Sequence, residues 1–148
     1  MKKDIEVENQ QRLGQFLCFA IYTAGHAFNR VYKPYLTELG LTYPQYLVMV
    51  ALWEKDEQTV SSIGTKLFLE SNTLTPLLKR LEGLQLLERT RNLSDERQVC
   101  IRLTDKGNML REKAAGLPQC IAEASGLDEK TLSKLRTQII KLRDELAN

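Results

Sequence analysis

The most reactive side chains in this sequence are three cysteines, Cys18, Cys100 and Cys120. A thiolate attacks peroxides and disulfides and binds soft metals, provided that its pKa is lowered and that it is accessible. The three are odd in number and widely spaced, which argues against a secreted disulfide framework and for free thiols. There is one histidine, His26, and no Cys-x-x-Cys pair, so a structural zinc site has no ligand set, and no metal or cofactor is expected. Catalytic signatures such as a phosphate loop or Gly-x-Ser-x-Gly are also missing. No Lys or Arg lies within one helical turn of Cys18. Its neighbours are aromatic instead: Phe16, Phe19 and Tyr22. On residues alone, a cysteine so placed on a helix reads as a small hydrophobe. His26 reads as structural, and Cys100 as a bystander on a strand with Gln98 and Arg102.

A second group capable of chemistry is cationic. Lys79, Arg80, Arg89, Arg91, Arg97 and Arg102 gather in the middle of a 148-residue chain whose net charge is only +2, from 21 basic and 19 acidic residues. A global charge so small neither demands nor excludes nucleic acid, so the distribution must decide. The first eleven residues are polar, without the apolar stretch of a secretory signal, and no apolar run is long enough to span a bilayer. A cytoplasmic protein with no membrane partner is expected.

These groups need elements to position them. Leu13, Phe16, Leu17, Ala20, Ile21, Ala24, Phe28 and Val31 recur at helical spacing, and Cys18, Tyr22, Gly25, Asn29 and Tyr32 form a neighbouring stripe. One helix with two faces to bury suggests a subunit interface, and Pro34 is expected to kink or end it. Thr42 can cap a core helix with Pro44 in its first turn. Thr59 and Val60 can form a short strand, and Ser61 or Ser62 can cap a brief helix ending near Phe68. Ser71 or Asn72 starts another helix running to about Leu86. Its apolar face holds Leu74, Leu77, Leu78, Leu81 and Leu84. Its opposite face holds Asn72, Thr75, Pro76, Lys79 and Gly83, flanked by Thr73 and Arg80, with Pro76 expected in the first turn. Strands over Leu87 to Asn92 and Gln98 to Leu103 follow, joined by Leu93-Ser94-Asp95-Glu96, and Thr104 caps the next helix. Leu132, Leu135, Ile139, Leu142 and Leu146 form a seam suited to helix pairing.

Short helix, turn, second helix and charged hairpin is the order of a winged helix-turn-helix. The expected fold is mainly α with a small β-hairpin wing, dimerised through its N- and C-terminal helices. It is one domain over 1–148, with dimerisation helices at 8–42 and 105–148 around a winged helix-turn-helix at 43–104. Residues 59 to 104 are expected to bind duplex DNA. Ser71, Asn72, Thr73 and Thr75 would reach base edges while Lys79, Arg80, Arg89 and Arg91 grip phosphates. Arg97 would enter the minor groove from the wing tip, with Asp95 holding the tip or orienting Arg97 by a bidentate pair.

Asp95-Glu96-Arg97 in the wing and Leu103-Thr104-Asp105-Lys106-Gly107 after it resemble the MarR family of bacterial regulators. The resemblance extends to its organic-hydroperoxide-sensing OhrR branch through Leu17-Cys18-Phe19-Ala20-Ile21-Tyr22, Tyr32-Lys33-Pro34, Thr42-Tyr43-Pro44-Gln45-Tyr46 and Leu74-Thr75-Pro76-Leu77-Leu78-Lys79-Arg80. It implies a homodimeric repressor, not an enzyme, bound to a pseudo-palindromic operator until a cysteine is oxidised by an organic hydroperoxide. By resemblance Cys18 is that cysteine, and Tyr32 and Tyr43 match the tyrosines that hydrogen-bond it from the partner subunit. Phe16, Phe19 and Tyr22 would suit a bulky peroxide. Cys120 is the candidate resolving thiol, with a low-molecular-weight thiol as the other route. Two alternatives stand beside this reading: a MarR-type repressor released by a phenolic or lipophilic ligand, with Cys18 merely lining the pocket, and a thiol peroxidase.

Overall fold

The computed structural model describes residues 12–91 and 94–148. Expectations that fall on residues 8–11, Asn92 and Leu93 lie outside the described residues. Among the described residues, seven α-helices and three short strands are built around one core. The helices are α1 (Leu17–Leu39), α2 (Tyr43–Glu54), α3 (Val60–Leu67), α4 (Ser71–Gly83), α5 (Asp105–Ala114), α6 (Leu117–Ser125) and α7 (Glu129–Ala147). The strands β1 (Gln58–Thr59), β2 (Leu87–Arg91) and β3 (Val99–Leu103) form an antiparallel sheet in the order β1-β3-β2. This is a winged helix-turn-helix, with β1 adding a third strand to the expected hairpin.

The first helix departs from its expected start and end. Leu13 lies in a 3-10 turn, Leu13–Gln15, and Phe16 is extended at φ −86 and ψ 115, so neither belongs to α1. Gly14 between them disfavours a continuous helix by about 1 kcal/mol relative to alanine. Pro34 does not end α1, which continues to Leu39 and stops at Gly40 in the left-handed region (φ 70). Proline removes one donor, and the Arg30 carbonyl that loses it sits on an exposed stretch where water can replace it.

Helix α2 is the centre of the core. It opens on a capping box, with the Gln45 N–H donating to Thr42 Oγ1 and the Thr42 N–H donating to Gln45 Oε1 at 2.9 Å. Tyr46, Val48, Met49, Ala51 and Leu52 on it are all buried. Tyr46, Val48, Met49 and Leu52 share one core cluster with Ile63 of α3, Leu74, Leu78 and Leu81 of α4, and Leu87, Ile101 and Leu103 of the sheet.

Several boundaries shift by a residue or more. Strand β1 ends at Thr59, so Thr59 rather than a serine caps α3, its Oγ1 accepting from the Ser62 N–H at 3.1 Å. Helix α4 stops at Gly83 instead of near Leu86. The Leu86 N–H bonds the Leu81 carbonyl at 3.1 Å and the Gln85 N–H bonds the Glu82 carbonyl at 2.8 Å, with Gln85 left-handed at φ 61. That Schellman turn swings Leu86 into the core and leaves Leu84 exposed, against the expectation that Leu84 shares the buried face. Pro76 falls in the second turn of α4 rather than the first. The Asn72 carbonyl, deprived of a donor, is on the exposed side.

Gly107 in α5 explains the packing of the wing root. A Cβ there would stand 2.0 Å from the Leu86 carbonyl oxygen and 3.2 Å from Leu103 Cδ2. The Gly107 carbonyl accepts from Trp53 Nε1 at 2.9 Å, and its N–H donates to Thr104 Oγ1 at 3.0 Å. Helix α5 thus lies directly on the turn between α4 and β2.

The terminal helices are bare. Of α1 only Leu36 is buried, and α7 buries none of its residues within the chain. Leu17, Ile21 and Phe28 on α1, and Leu135, Ile139 and Ile140 on α7, are exposed.

Candidate nucleic-acid interface and thiol region

Helix α4 presents Ser71, Asn72, Thr73, Pro76, Lys79 and Arg80 to solvent, while Leu74, Leu78 and Leu81 are buried. Polar residues occupy its N-terminal end and cations follow one turn later, the layout a major-groove helix requires. Thr75 departs from the expected outward face. It is half-buried and lines a cleft of about 270 Å³ between α4 and the wing, with Ser71, Arg89, Arg97 and Val99. Thr59 and Ser61, at the start of α3, line the same cleft. Sequence reading missed these two, because a serine or threonine near a helix start signals a cap and not a groove.

Along one face of β2 run Leu87, Arg89 and Arg91, which pass from buried through half-buried to exposed. The alternation that makes the core at the root of the sheet therefore turns cationic toward the tip. Arg89 is not a free cation: its Nε donates to Glu82 Oε2 at 2.8 Å and its N–H to Glu82 Oε1 at 3.4 Å. The hydrogen bonds from Arg89 hold the Glu82 carboxyl below its usual range. No sequence signal announces this pair, which bridges a helix and a strand. Arg102 faces Glu57 at 3.7 Å, an exposed pair.

At the wing tip, Asp95 Oδ1 accepts from the Arg97 N–H at 3.1 Å and the Asp95 carbonyl accepts from the Gln98 N–H at 3.0 Å. Asp95 braces the backbone of the tip. The bidentate pair with the Arg97 guanidinium is not formed, because the carboxylate is committed to the main chain two residues on. Arg97 and Arg91 are exposed.

Cys18 is exposed in the first turn of α1, with Phe16, Phe19 and Tyr22 exposed beside it. Tyr22 meets His26 edge-on at 4.4 Å between ring centroids. Tyr32 lies fourteen residues further along α1, about 21 Å away at the helical rise. It stacks at a tilt on Tyr43 (4.8 Å) and reaches Tyr46 (6.0 Å). Burial, then the neighbouring phenols, push Tyr32 up to about 12, and burial likewise raises Tyr43 and Tyr46. All three phenols stay protonated donors at neutral pH. Within one chain, then, the cysteine and the two tyrosines are not brought together.

Tyr32 and Tyr43 instead line an open groove of about 850 Å³ with Phe28, Ile121, Leu135 and Ile139, between the α1–α2 corner and the α6–α7 pair. Cys120 is half-buried on α6; Pro118, Gln119, Ile121 and Ala122 around it line that groove, and Cys120 itself does not. Cys100, the second residue of β3, is half-buried opposite Thr59 and Thr90. Among the described residues no group of His, Cys, Asp and Glu could hold a metal ion, and no helix is long and apolar enough to cross a membrane.

Known proteins are similar to this chain in sequence and fold. A family model described as transcriptional regulator SarA/Rot matches residues 30–114. The HTH-type transcriptional regulator TtmR of Methylorubrum extorquens is 47% identical over 94% of this chain and 71% of its own length. The organic hydroperoxide resistance transcriptional regulator of Bacillus subtilis is 40% identical over 96% of this chain and 92% of its own. Reduced AbfR bound to DNA, a protein of Staphylococcus epidermidis, superposes with a TM-score of 0.77 at 37% identity, covering 100% of both chains. With a winged helix-turn-helix, a second helix whose exposed face is polar and then cationic, and relatives of this similarity along nearly its whole length, the chain belongs to the SarA/MarR family of DNA-binding transcriptional regulators.

Proposed function

We propose that this protein is a homodimeric repressor that holds a pseudo-palindromic operator and releases it when an organic hydroperoxide oxidises Cys18. One observation carries the reading. Cys18 is exposed about 21 Å along α1 from Tyr32, which packs on Tyr43 in a groove that stands open. A second copy of the chain supplies the missing half: its α1 lays the bare stripe of Leu17 and Ile21 into the groove and brings its Cys18 to the two phenols. Exposed apolar stripes on both terminal helices are the surfaces such an assembly would bury. The dimerisation segments are accordingly the terminal helices, with 43–104 as the DNA-binding region. The relative named for organic hydroperoxide resistance and the DNA-bound reduced AbfR support the same reading.

The chemistry follows from the groups present. Neutral phenols donate hydrogen bonds and so favour the thiolate over the thiol. The thiolate sulfur attacks the distal peroxide oxygen, the O–O bond breaks, and the leaving alkoxide takes a proton and departs as alcohol. Cys18 is left as a sulfenic acid. A second thiol, Cys120 across the interface or a low-molecular-weight thiol, attacks that sulfur, forming a disulfide and releasing water. Phe16, Phe19 and Tyr22 surround the site with apolar surface for an organic peroxide.

On the output side, Ser71, Asn72 and Thr73 face base edges, Thr75 lines the cleft beside Arg89, Lys79, Arg80, Arg89 and Arg91 take phosphates, and Arg97, on a tip braced by Asp95, enters the minor groove. A Cys18→Ser variant tests the whole: it should bind operator like the wild type and stay bound when an organic hydroperoxide is added. Release of that variant by peroxide would overturn the thiol reading and leave a ligand-released repressor. Sustained peroxide turnover with a thiol reductant, far beyond one equivalent per subunit, would instead mark a peroxidase.

A further inference from the structure

The cleft between α4 and the wing contains a feature that the cation count alone does not explain. Arg89 sits on the inner face of β2, paired across the strand with the fully buried Ile101, so its side chain is directed onto α4. There it meets the line Thr75, Leu78 and Glu82, residues three and four apart on one helical face. Glu82, at the far end of that line from the DNA-facing N-terminus, bonds the Arg89 guanidinium through Nε only, while its other oxygen accepts from the Arg89 backbone N–H at 3.4 Å. The two Nη groups make no hydrogen bond among the described residues, although Arg89 lines the cleft beside Ser71, Thr75 and Arg97.

A guanidinium has five N–H donors in a fixed fork. Held by Nε, it keeps its terminal pair in one plane and one direction, the geometry in which two parallel N–H bonds reach a phosphate. Ser71 and Thr75 hydroxyls and the Arg97 cation line the same space. The carboxylate also fixes the rotamer before DNA arrives, which removes part of the ordering cost of binding.

We infer that Glu82 is a positioning residue for DNA binding: it holds Arg89 by Nε so that the free Nη fork takes one backbone phosphate in the cleft between α4 and the wing. The inference rests on the operator-binding reading above. An acidic residue on a DNA-binding module would thus aid binding, contrary to its charge.

The test uses full-length protein and a duplex that the wild type has itself selected from a random-sequence pool, with affinity measured across a salt series. Arg89→Ala should weaken binding about tenfold and reduce the slope of log K against log salt by about 1 per protomer. Glu82→Gln keeps an acceptor for Nε and removes a negative charge, so it should bind at least as tightly as the wild type. Glu82→Ala removes the anchor and should bind several-fold more weakly than Glu82→Gln, at equal urea midpoints or after correction for any difference. If both Glu82 variants bind more tightly than wild type, the carboxylate only repels DNA and the inference is overturned. It is equally overturned if both weaken in step with their stability, or if Arg89→Ala changes neither affinity nor slope. Lys79→Ala and Arg97→Ala separate the two levels. If they weaken binding while Arg89 and Glu82 variants do not, this inference alone fails; if none of the four positions affects binding, the DNA-face assignment fails with it.

Discussion

Gly107→Ala is the sharpest test of how the wing root is built, because two physical effects give opposite signs. Helix propensity alone favours the substitution by about 1 kcal/mol, since Gly107 is inside α5. The packing opposes it. The new Cβ would stand 2.0 Å from the Leu86 carbonyl oxygen and 3.0 Å from its carbon, so more than 1 Å of movement is needed. The obstacle is backbone, fixed on both sides: the Leu86 N–H is bonded to Leu81, and its carbonyl accepts from the Thr104 N–H at 3.1 Å. Moving α5 away also stretches the Trp53–Gly107 bond. Overpacking against an immovable group costs about 1–3 kcal/mol. Two weakened hydrogen bonds add about 1 kcal/mol each. After the propensity gain, the net loss is about 2–4 kcal/mol, which should lower the urea midpoint by roughly 1–2 M. Trp53 is the only tryptophan, so its fluorescence reports unfolding and the local contact together. Wild type and variant must be compared at one protein concentration, because association contributes to stability. Gly83→Ala, where nothing lies within 4 Å of the added carbon, is the control and should be neutral or slightly stabilising. A Gly107→Ala protein as stable as wild type would refute the close approach of α5 to the turn before β2.

Two further outcomes are expected. Peroxide treatment should give a species of about twice the monomer mass on a non-reducing gel; Cys18→Ser and Cys120→Ser should each abolish it, and a band that survives Cys120→Ser would remove Cys120 as the resolving thiol. The tyrosine cluster makes stability depend on alkaline pH. Tyr32 is raised to about 12 and Tyr43 and Tyr46 are raised by burial, so folding favours the protonated phenols. That stabilisation is complete below the ordinary tyrosine pKa of about 10 and is lost as pH rises from there toward 12. Tyr32→Phe should flatten the decline measured by urea midpoints across that range, and an unchanged profile would sink the account.

Much of this molecule was legible locally. Capping and periodicity are short-range properties, which is why Thr42, Thr104 and the apolar lines of α2 and α4 were readable from spacing alone. The charge placed on α4 and the wing was readable for the same reason. What failed locally failed for stated causes. Leu84 reads as part of the α4 stripe, yet the Schellman turn at Gln85 ends the helix first and exposes it. Pro34 reads as a stop, yet one lost donor on a solvated helix edge is too small a cost to end α1.

Tertiary structure alone decided two things, each because the partners lie on different elements. The Glu82–Arg89 bond spans a helix and a strand. The Gly107 approach depends on where the Leu86 carbonyl comes to rest. The separation of Cys18 from Tyr32, by contrast, follows from the helical rise along one helix on which sequence spacing already places both. By resemblance the tyrosines meet the cysteine of a partner subunit; within one chain Tyr32 lies well along α1 from Cys18 and, with Tyr43 of α2 against it, lines an open groove.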